Sequence, residues 1–465
     1  MSSPSMLRLR RHALAAAVLS LIVAPALAAD RVDLTGLKAD EPVDGFLVSY
    51  AEDAPKAAAF QRDLDIALAS LGRRDLKIQH TRTISTGAEL IEVSRPLDVV
   101  EAATLMKSIA ADPRVRFVEP NARFQALLTP NDPLYPQQWG LNGTYGIRAN
   151  TAWDNGYQGQ GKIIAVVDTG ITDHPDLLNN RTSPLGYDFI SNATTANDGN
   201  GRDADPHDPG DWTTAGQCGV GQPARNSSWH GTHVSGIAAG VTNNSTGIAG
   251  TAFLSKILSA RVLGRCGGTL ADIADAITWA SGGTVSGVPA VGANKATVIN
   301  MSLGGGGACA TTSAMQVAIN GAVSRGVTVV VAAGNSNANA SGFQPASCAN
   351  VINVGATTSA GVRASFSNYG ALVDVSAPGQ TILSTLNAGT TSPGAFNYVN
   401  YNGTSMAAPF VAGVVALMQS KPGTDLTPAQ VETTIKNTAS PFASTQNPTI
   451  GTGIVNADAA TDATP

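Results

Sequence analysis

The stretch KIIAVVDTG, residues 162–170, decides the fold. Its apolar residues form an unbroken row without polar alternation, so both faces of this strand meet apolar surroundings. An aspartate closes the row, and Thr169-Gly170 turns the chain away. Asp168 therefore stands at the carboxyl end of a buried strand. Rows of the same kind recur in KILSARVL (256–263), ATVINMSL (296–303), VTVVVAAG (327–334) and VINVGA (351–356). Helical patterns lie between several of them: HGTHVSGIAAGV (230–241), LADIADAITWAS (270–281) and TSAMQVAINGAVSRG (312–326). Buried strands alternating with helices predict an α/β fold, a mostly parallel central sheet covered on both faces. Such sheets gather their chemistry at the carboxyl ends of the strands.

Three more polar residues fall at that edge. His230 opens a helix rich in small residues, Asn335 follows VVVAAG, and Ser405 sits in NGTSMAAP (402–409) before the apolar helical run PFVAGVVALMQSK. The first turn of a helix has N–H groups without helical acceptors and favours negative charge. A serine there is most often an N-cap. An aspartate in a strand-to-helix turn is most often a cap too, and a lone histidine mostly packs. One constellation of Asp, His, Asn and Ser at one sheet edge is harder to dismiss.

Composition bounds the rest. The chain has 465 residues, 43% hydrophobic and 14% charged, with net charge −5 and no basic block of the kind nucleic acid requires. MLRLRRH (6–12) followed by ALAAAVLSLIVAPALA (13–28) reads as a cleavable export signal ending in an A-x-A site, by the general rather than the twin-arginine route. No later segment is long and apolar enough to span a bilayer. Residues 29–128 are charge-dense and alternate strand and helix patterns in a βαββαβ order, a small α+β ferredoxin-like unit. A Pro- and Asn-rich joint, ALLTPNDPLYPQQWGL (126–141), leads into residues 129–465, where charges thin out. Four cysteines in an exported chain imply disulfides. Of three possible pairings, Cys218–Cys266 and Cys309–Cys348 join sequence neighbours and are favoured.

VVDTGITDHPDL (166–177), HGTHVSGIAAG (230–240), NMSLG (300–304), VVVAAGN (329–335) and NGTSMAAP together resemble the subtilisin-like serine proteases, the subtilases, over roughly residues 130–460. VTNNSTGIAG (241–250) is similar to thermitase-type members, and residues 29–128 resemble the inhibitory propeptide of the family. The resemblance implies a secreted serine endopeptidase made as a self-processing zymogen, a monomer acting on polypeptides. It implies Ser405 as nucleophile, His230 as general base and then acid, and Asp168 as the group that orients the imidazole. It gives His233 a structural place. Asn335 would donate to the oxyanion with the Ser405 N–H. The Asp, His, Ser order, and GTSMA in place of G-x-S-x-G, stand against an α/β-hydrolase esterase. A catalytically silent binding protein on the same fold is the alternative that the intact residues disfavour.

The resemblance also implies that substrate adds a strand along Ser302, Leu303, Gly304 and Gly305. The first pocket would lie between these and Ala332, Ala333 and Gly334, with a floor near GFQPAS (342–347). No acid occurs there, so an uncharged P1 residue is expected. One structural calcium ion is implied at Asp132, Asp176 and Asn244 with the carbonyls of Val241, Thr246 and Ile248. The loop NDGNGRDADPHDPGDW (197–212) offers Asp198, Asp203, Asp205, Asp208 and Asp211. It reads either as a solvated acidic loop or as a second calcium site, with Asp188 joining by looser analogy.

Overall fold

The computed structural model describes residues 31–37, 42–51, 61, 64–66, 68, 75–122 and 128–465. The expected export signal lies outside the described residues. The chain divides into two compact units, Met1–Gln125 and Ala126–Pro465.

The first unit carries β1 (Val43–Tyr50), β2 (Ile78–Thr83), β3 (Glu89–Leu97), α1 (Val99–Ala110) and β4 (Val115–Pro120). The strands form one antiparallel sheet in the order β2-β3-β1-β4. Asp98 caps α1 by accepting the Glu101 N–H at 2.8 Å. The helix buries Ala102, Leu105, Met106 and Ile109, one stripe at helical spacing. The second helix pattern of this unit is α1. The first falls partly outside the described residues, and Leu64 and Leu68 of it join the same core. The strand β2 had no clear pattern, because only Ile78 of IQHTRT is buried.

The second unit is built on seven parallel strands in the order β13-β12-β10-β8-β5-β7-β6. These are β5 (Ile163–Asp168), β6 (Arg181–Asp188), β7 (Lys256–Arg261), β8 (Val298–Met301), β10 (Thr328–Ala332), β12 (Ile352–Thr357) and β13 (Val375–Pro378). Two short antiparallel pairs accompany them: β9 (Gly305–Gly306) with β11 (Phe343–Gln344), and β14 (Ile382–Asn387) with β15 (Phe396–Tyr401). Ile164 and Val166 enter one hydrophobic core, while Ala165 and Val167 enter the other. That is why β5 shows no polar alternation. The longer helices are α2 (His230–Ala239), α3 (Leu270–Ala280), α4 (Ala314–Ser324), α5 (Thr404–Gln419) and α6 (Pro428–Asn437).

The helix α5 decides where the chemistry sits. Every residue of it except Ser405 is buried. A helix apolar on all sides belongs in the interior, and its one half-open side chain is the hydroxyl.

Candidate active site

Asp168, at the end of β5, is fully buried. Its Oδ1 accepts the Thr169 backbone N–H at 2.8 Å. The Nδ1 of His230 lies 2.8 Å from Oδ1 and 3.0 Å from Oδ2 of Asp168, so the carboxylate holds the Nδ1–H tautomer. Two local features aim the imidazole. Trp229, buried and left-handed at φ 48°, turns the chain immediately before His230. Gly231 allows α2 to start against the strand end, since a Cβ there would sit 2.1 Å from the Gly170 carbonyl oxygen. Burial would push the His230 imidazole down. The charge and hydrogen bond of Asp168 outweigh that, with Asp211 and Asp208 adding, and hold it above an ordinary histidine.

Ser405 donates its hydroxyl to the Ser302 carbonyl at 3.2 Å, and Ser302 Oγ donates to the Ser405 carbonyl at 2.8 Å. The second bond has a cause inside α5. Pro409 has no N–H to give the carbonyl four residues earlier, which is that of Ser405. Asn300 Nδ2 in turn donates to Ser302 Oγ at 2.9 Å. Asn335 Oδ1 accepts both the Thr404 N–H at 2.8 Å and the Thr404 hydroxyl at 2.9 Å. Among the described residues this leaves its Nδ2 as the free donor. The N–H of Ser405, in the first turn of α5, has no helical acceptor. Thr404, Ser302 and Pro409 are supports that the sequence reading passed over, although NGTSMAAP contained two of them.

A cleft of about 360 Å³ brings together residues 302–305, 332–335 and Ser405, and Phe343, Gln344 and Ala346 line it too. All seven expected substrate-contact positions line it, and none of its lining residues is acidic. Gly305 is already paired, to Gln344, so the open edge is residues 302–304. Both cysteine pairs are closed as favoured, Cys218–Cys266 with Cα atoms 5.3 Å apart and Cys309–Cys348 with 5.0 Å.

Comparison with known proteins bears on the same region. The model of the subtilase family, peptidase S8, matches residues 159–459. The chain belongs to the subtilase family. It is 55% identical over 457 residues to an extracellular protease of Xanthomonas campestris pv. campestris, covering 97% of this chain and 78% of the relative. Thermitase of Thermoactinomyces vulgaris is 38% identical over 319 residues, covering 68% of this chain and 94% of the relative. A solved protease from Pseudoalteromonas arctica superposes with a TM-score of 0.70 at 49% identity, covering 73% of this chain and all of that one. This subtilase is a serine endopeptidase.

His233, three residues beyond His230, faces elsewhere. It is fully buried, meets the Val399 carbonyl through Nε2 at 2.9 Å and stacks on Tyr401 at 4.5 Å. Burial depresses its pKa to about 3, so it is neutral.

The residues expected around a first calcium ion do converge in this subtilase. Asp132 and Asp176 are 2% and 0% exposed. Burial raises both carboxyl pKa values, and for Asp132 the charge of Asp176 adds to it. Asn244 Nδ2 donates to Asp176 Oδ1 at 2.8 Å, and the Val241 N–H donates to the Asp176 carbonyl at 2.7 Å. The N–H groups of Asn244 and Ile248 reach Asp132 at 3.3 Å and Asp176 at 2.9 Å. Two buried, mutually repelling carboxylates are charges that a hard divalent cation would neutralise, while their oxygens are met here by N–H donors and by the Tyr398 hydroxyl, 2.9 Å from Asp176 Oδ2. Ligation by Asn244 requires its amide to turn over, since its nitrogen now faces Asp176.

The five aspartates of the acidic loop do not share a centre, which favours the solvated-loop alternative over a second calcium site. Among the described residues no group of three or more His, Cys, Asp or Glu could hold a metal ion. Each carboxylate has a different neighbour. Asp198 and Asp188 pair with the buried Arg261. Asp203 accepts from Asn200, and Asp205 meets His207. Asp211 accepts from the N–H and hydroxyl of Ser228. Asp208 lies buried, and its pKa is pushed up to about 7 by that burial and by Asp211. An arginine and turn N–H groups offset much of the loop's repulsion, while Asp208, its Oδ2 buried without a partner among the described residues, still feels Asp211.

Proposed function

We propose that this subtilase hydrolyses extended polypeptides through Ser405, His230 and Asp168, forming an acyl-enzyme. Ser405 Oγ leaves the Ser302 carbonyl and gives its proton to His230 Nε2 as it attacks the scissile carbonyl. Asp168 keeps Nδ1 protonated and stabilises the imidazolium, which then protonates the leaving amine. The negative oxygen of the tetrahedral intermediate meets Asn335 Nδ2 and the Ser405 N–H. The substrate backbone pairs with residues 302–304, and an uncharged P1 side chain enters the acid-free cleft. The observation that carries this reading is the pairing of His230 Nδ1 with both Asp168 oxygens beside a cleft that Ser405 and Asn335 share.

Residues 29–128 act as an inhibitory propeptide that the enzyme removes from itself, cutting between Ala126 and Asn131. Secretion through the signal at residues 1–28 accords with relatives named extracellular proteases. Calcium at Asp132, Asp176 and Asn244 would neutralise buried charge and stabilise the fold. The test is the Ser405→Ala precursor, expressed without other proteases and offered a denatured protein. It should neither cut the protein nor release residues 29–128. Maturation of that precursor at the joint contradicts self-processing, and digestion of the substrate contradicts Ser405 as nucleophile.

A further inference from the structure

Beside His230 a second groove, about 840 Å³, runs from the same segment, residues 302–305, whose open edge is 302–304. Its two walls differ. Leu263, Leu270, Ile273 and Met315 make one apolar. The other belongs to residues 211–228, a turn-back pinned by the Thr213–Arg225 bridge, whose N–H···O bonds are 2.9 and 3.0 Å. Two further ties fix this wall to its surroundings, and a third closes its two ends on each other. Cys218 is bonded to Cys266, Arg265 lies 4.0 Å over the Trp212 ring, and Asp211 is held by Ser228 at 2.6 and 2.8 Å.

The charged groups lining the groove are Asp211, Arg225 and His230. Both oxygens of Asp211 are used by Ser228, and His230 is committed to Asp168. Arg225 is exposed, and its guanidinium contact among the described residues is a neutral one, Gln222 Oε1 at 3.5 Å. An arginine keeps its charge at every working pH and offers a fork of donors that matches a carboxylate. Gln222 and Asn226 stand beside it as neutral donors.

We infer that Arg225 is a specificity-determining residue that favours peptides carrying Asp or Glu on the N-terminal side of the scissile bond. The carboxylate meets the guanidinium on the pinned wall while the chain lies along residues 302–304. The wall is ordered before substrate arrives, so little extra ordering is required at binding. This rests on the proteolytic reading above and adds an acidic peptide class to it.

The experiment compares kcat/KM for peptides that differ only in Glu, Gln or Lys at each position N-terminal to the cut. At one position the mature enzyme should favour Glu over Gln by roughly two- to fivefold, the scale of an exposed ion pair. Raising salt from about 10 mM to about 1 M should erase the preference. Arg225→Gln should bring the ratio to about one, Arg225→Glu should turn it toward Lys, and Arg225→Lys should retain part of it. A Glu preference that survives in Arg225→Gln, or is missing from the unaltered enzyme, overturns the inference while leaving proteolysis intact. If no peptide is cut at all, the proteolytic reading fails and the inference with it.

Discussion

Ser302 and Ser405 hold each other by two reciprocal bonds, each residue donating its hydroxyl to the other's carbonyl, at 2.8 and 3.2 Å. The pair joins the end of the strand β8 to the first turn of α5, and Pro409 makes one of the two bonds necessary. Ser302→Ala should leave the Ser405 carbonyl without its donor, at a cost of about 1–3 kcal/mol. Because the same carbonyl fixes the nucleophile's backbone, kcat should fall by roughly tenfold or more. Thermal midpoint and kcat per titrated active site are the measurements. Unchanged values of both would make the reciprocal pair incidental.

Asn335→Ala should lower kcat by roughly 10²–10³ with KM little changed, because the donor acts where charge develops. That magnitude comes from a subtilisin, a member of the same family, and is carried over. Thr404→Val should give a smaller loss of the same kind, since Thr404 pins Asn335 Oδ1 through its hydroxyl at 2.9 Å. Steady-state kinetics on one peptide separates kcat from KM. A loss confined to KM would place Asn335 in ground-state binding.

The acid limb of activity should follow His230. Catalysis needs the neutral imidazole, and Asp168, with Asp211 and Asp208, holds the pKa above the ordinary 6.5. Activity should therefore fall as pH drops through a value above 6.5. Asp211→Asn removes one of the raising charges and should move that limb downward by some tenths of a unit. The pH profile of kcat/KM checks it, and an upward move contradicts the placement of Asp211.

Stability should respond to His233 with a definite sign. Its folded pKa, about 3, lies below the unfolded value near 6.5, so only the unfolded chain takes up a proton between them. Stability contributed by neutral His233 is present above pH 6.5 and declines toward pH 3, at up to about 1.4 kcal/mol per pH unit. His233→Gln does not titrate. The stability gap between unaltered protein and variant should therefore narrow as pH falls from 7 to 4. Denaturant melts at several pH values measure this, and a constant gap contradicts a buried neutral imidazole.

Much of this was legible because β5, β7, β8, β10 and β12 are central strands buried on both faces, and their apolar rows admit few other readings. The strands missed in the parallel sheet are its two edges. The strand β6 carries Pro184 and turns several residues to solvent, and β13 is only VSAP. The hairpin β14–β15 hid because buried β14 carries Ser384, Thr385 and Asn387 among its apolar residues, while Phe396 and Asn397 of β15 are exposed. At the site, residue types and their strand-end positions pointed to Asp168, His230, Asn335 and Ser405. The supports did not show, because Ser302 and Thr404 act through partners distant in sequence, the Ser405 carbonyl and the Asn335 side chain. The acidic loop misled because Arg261 lies in a different apolar row, where nothing local announces that it meets Asp188 and Asp198.

Chelation should harm lifetime more than chemistry. Asp132 and Asp176 are buried and repel each other, Asn244 bonds to both, and no residue of that set lines the cleft that Ser405 shares. A cation bound only by the folded state stabilises by ~2.7 kcal/mol when free metal is a hundredfold above Kd. EDTA should shorten the half-life on heating and speed self-digestion, with initial activity in the cold nearly intact. Asp132→Asn should reproduce that loss and weaken calcium binding measured by calorimetry. Equal half-lives after confirmed metal removal would take calcium out of the account.

The most direct test of the central claim is the site at which a serine-directed fluorophosphonate labels the mature enzyme, read by peptide mapping as proteolysis of a denatured protein is followed. One adduct on Ser405, rising in step with the loss of proteolysis, is the predicted result. Proteolysis that is lost while the adduct maps to another residue, or that persists with Ser405 fully labelled, would contradict it.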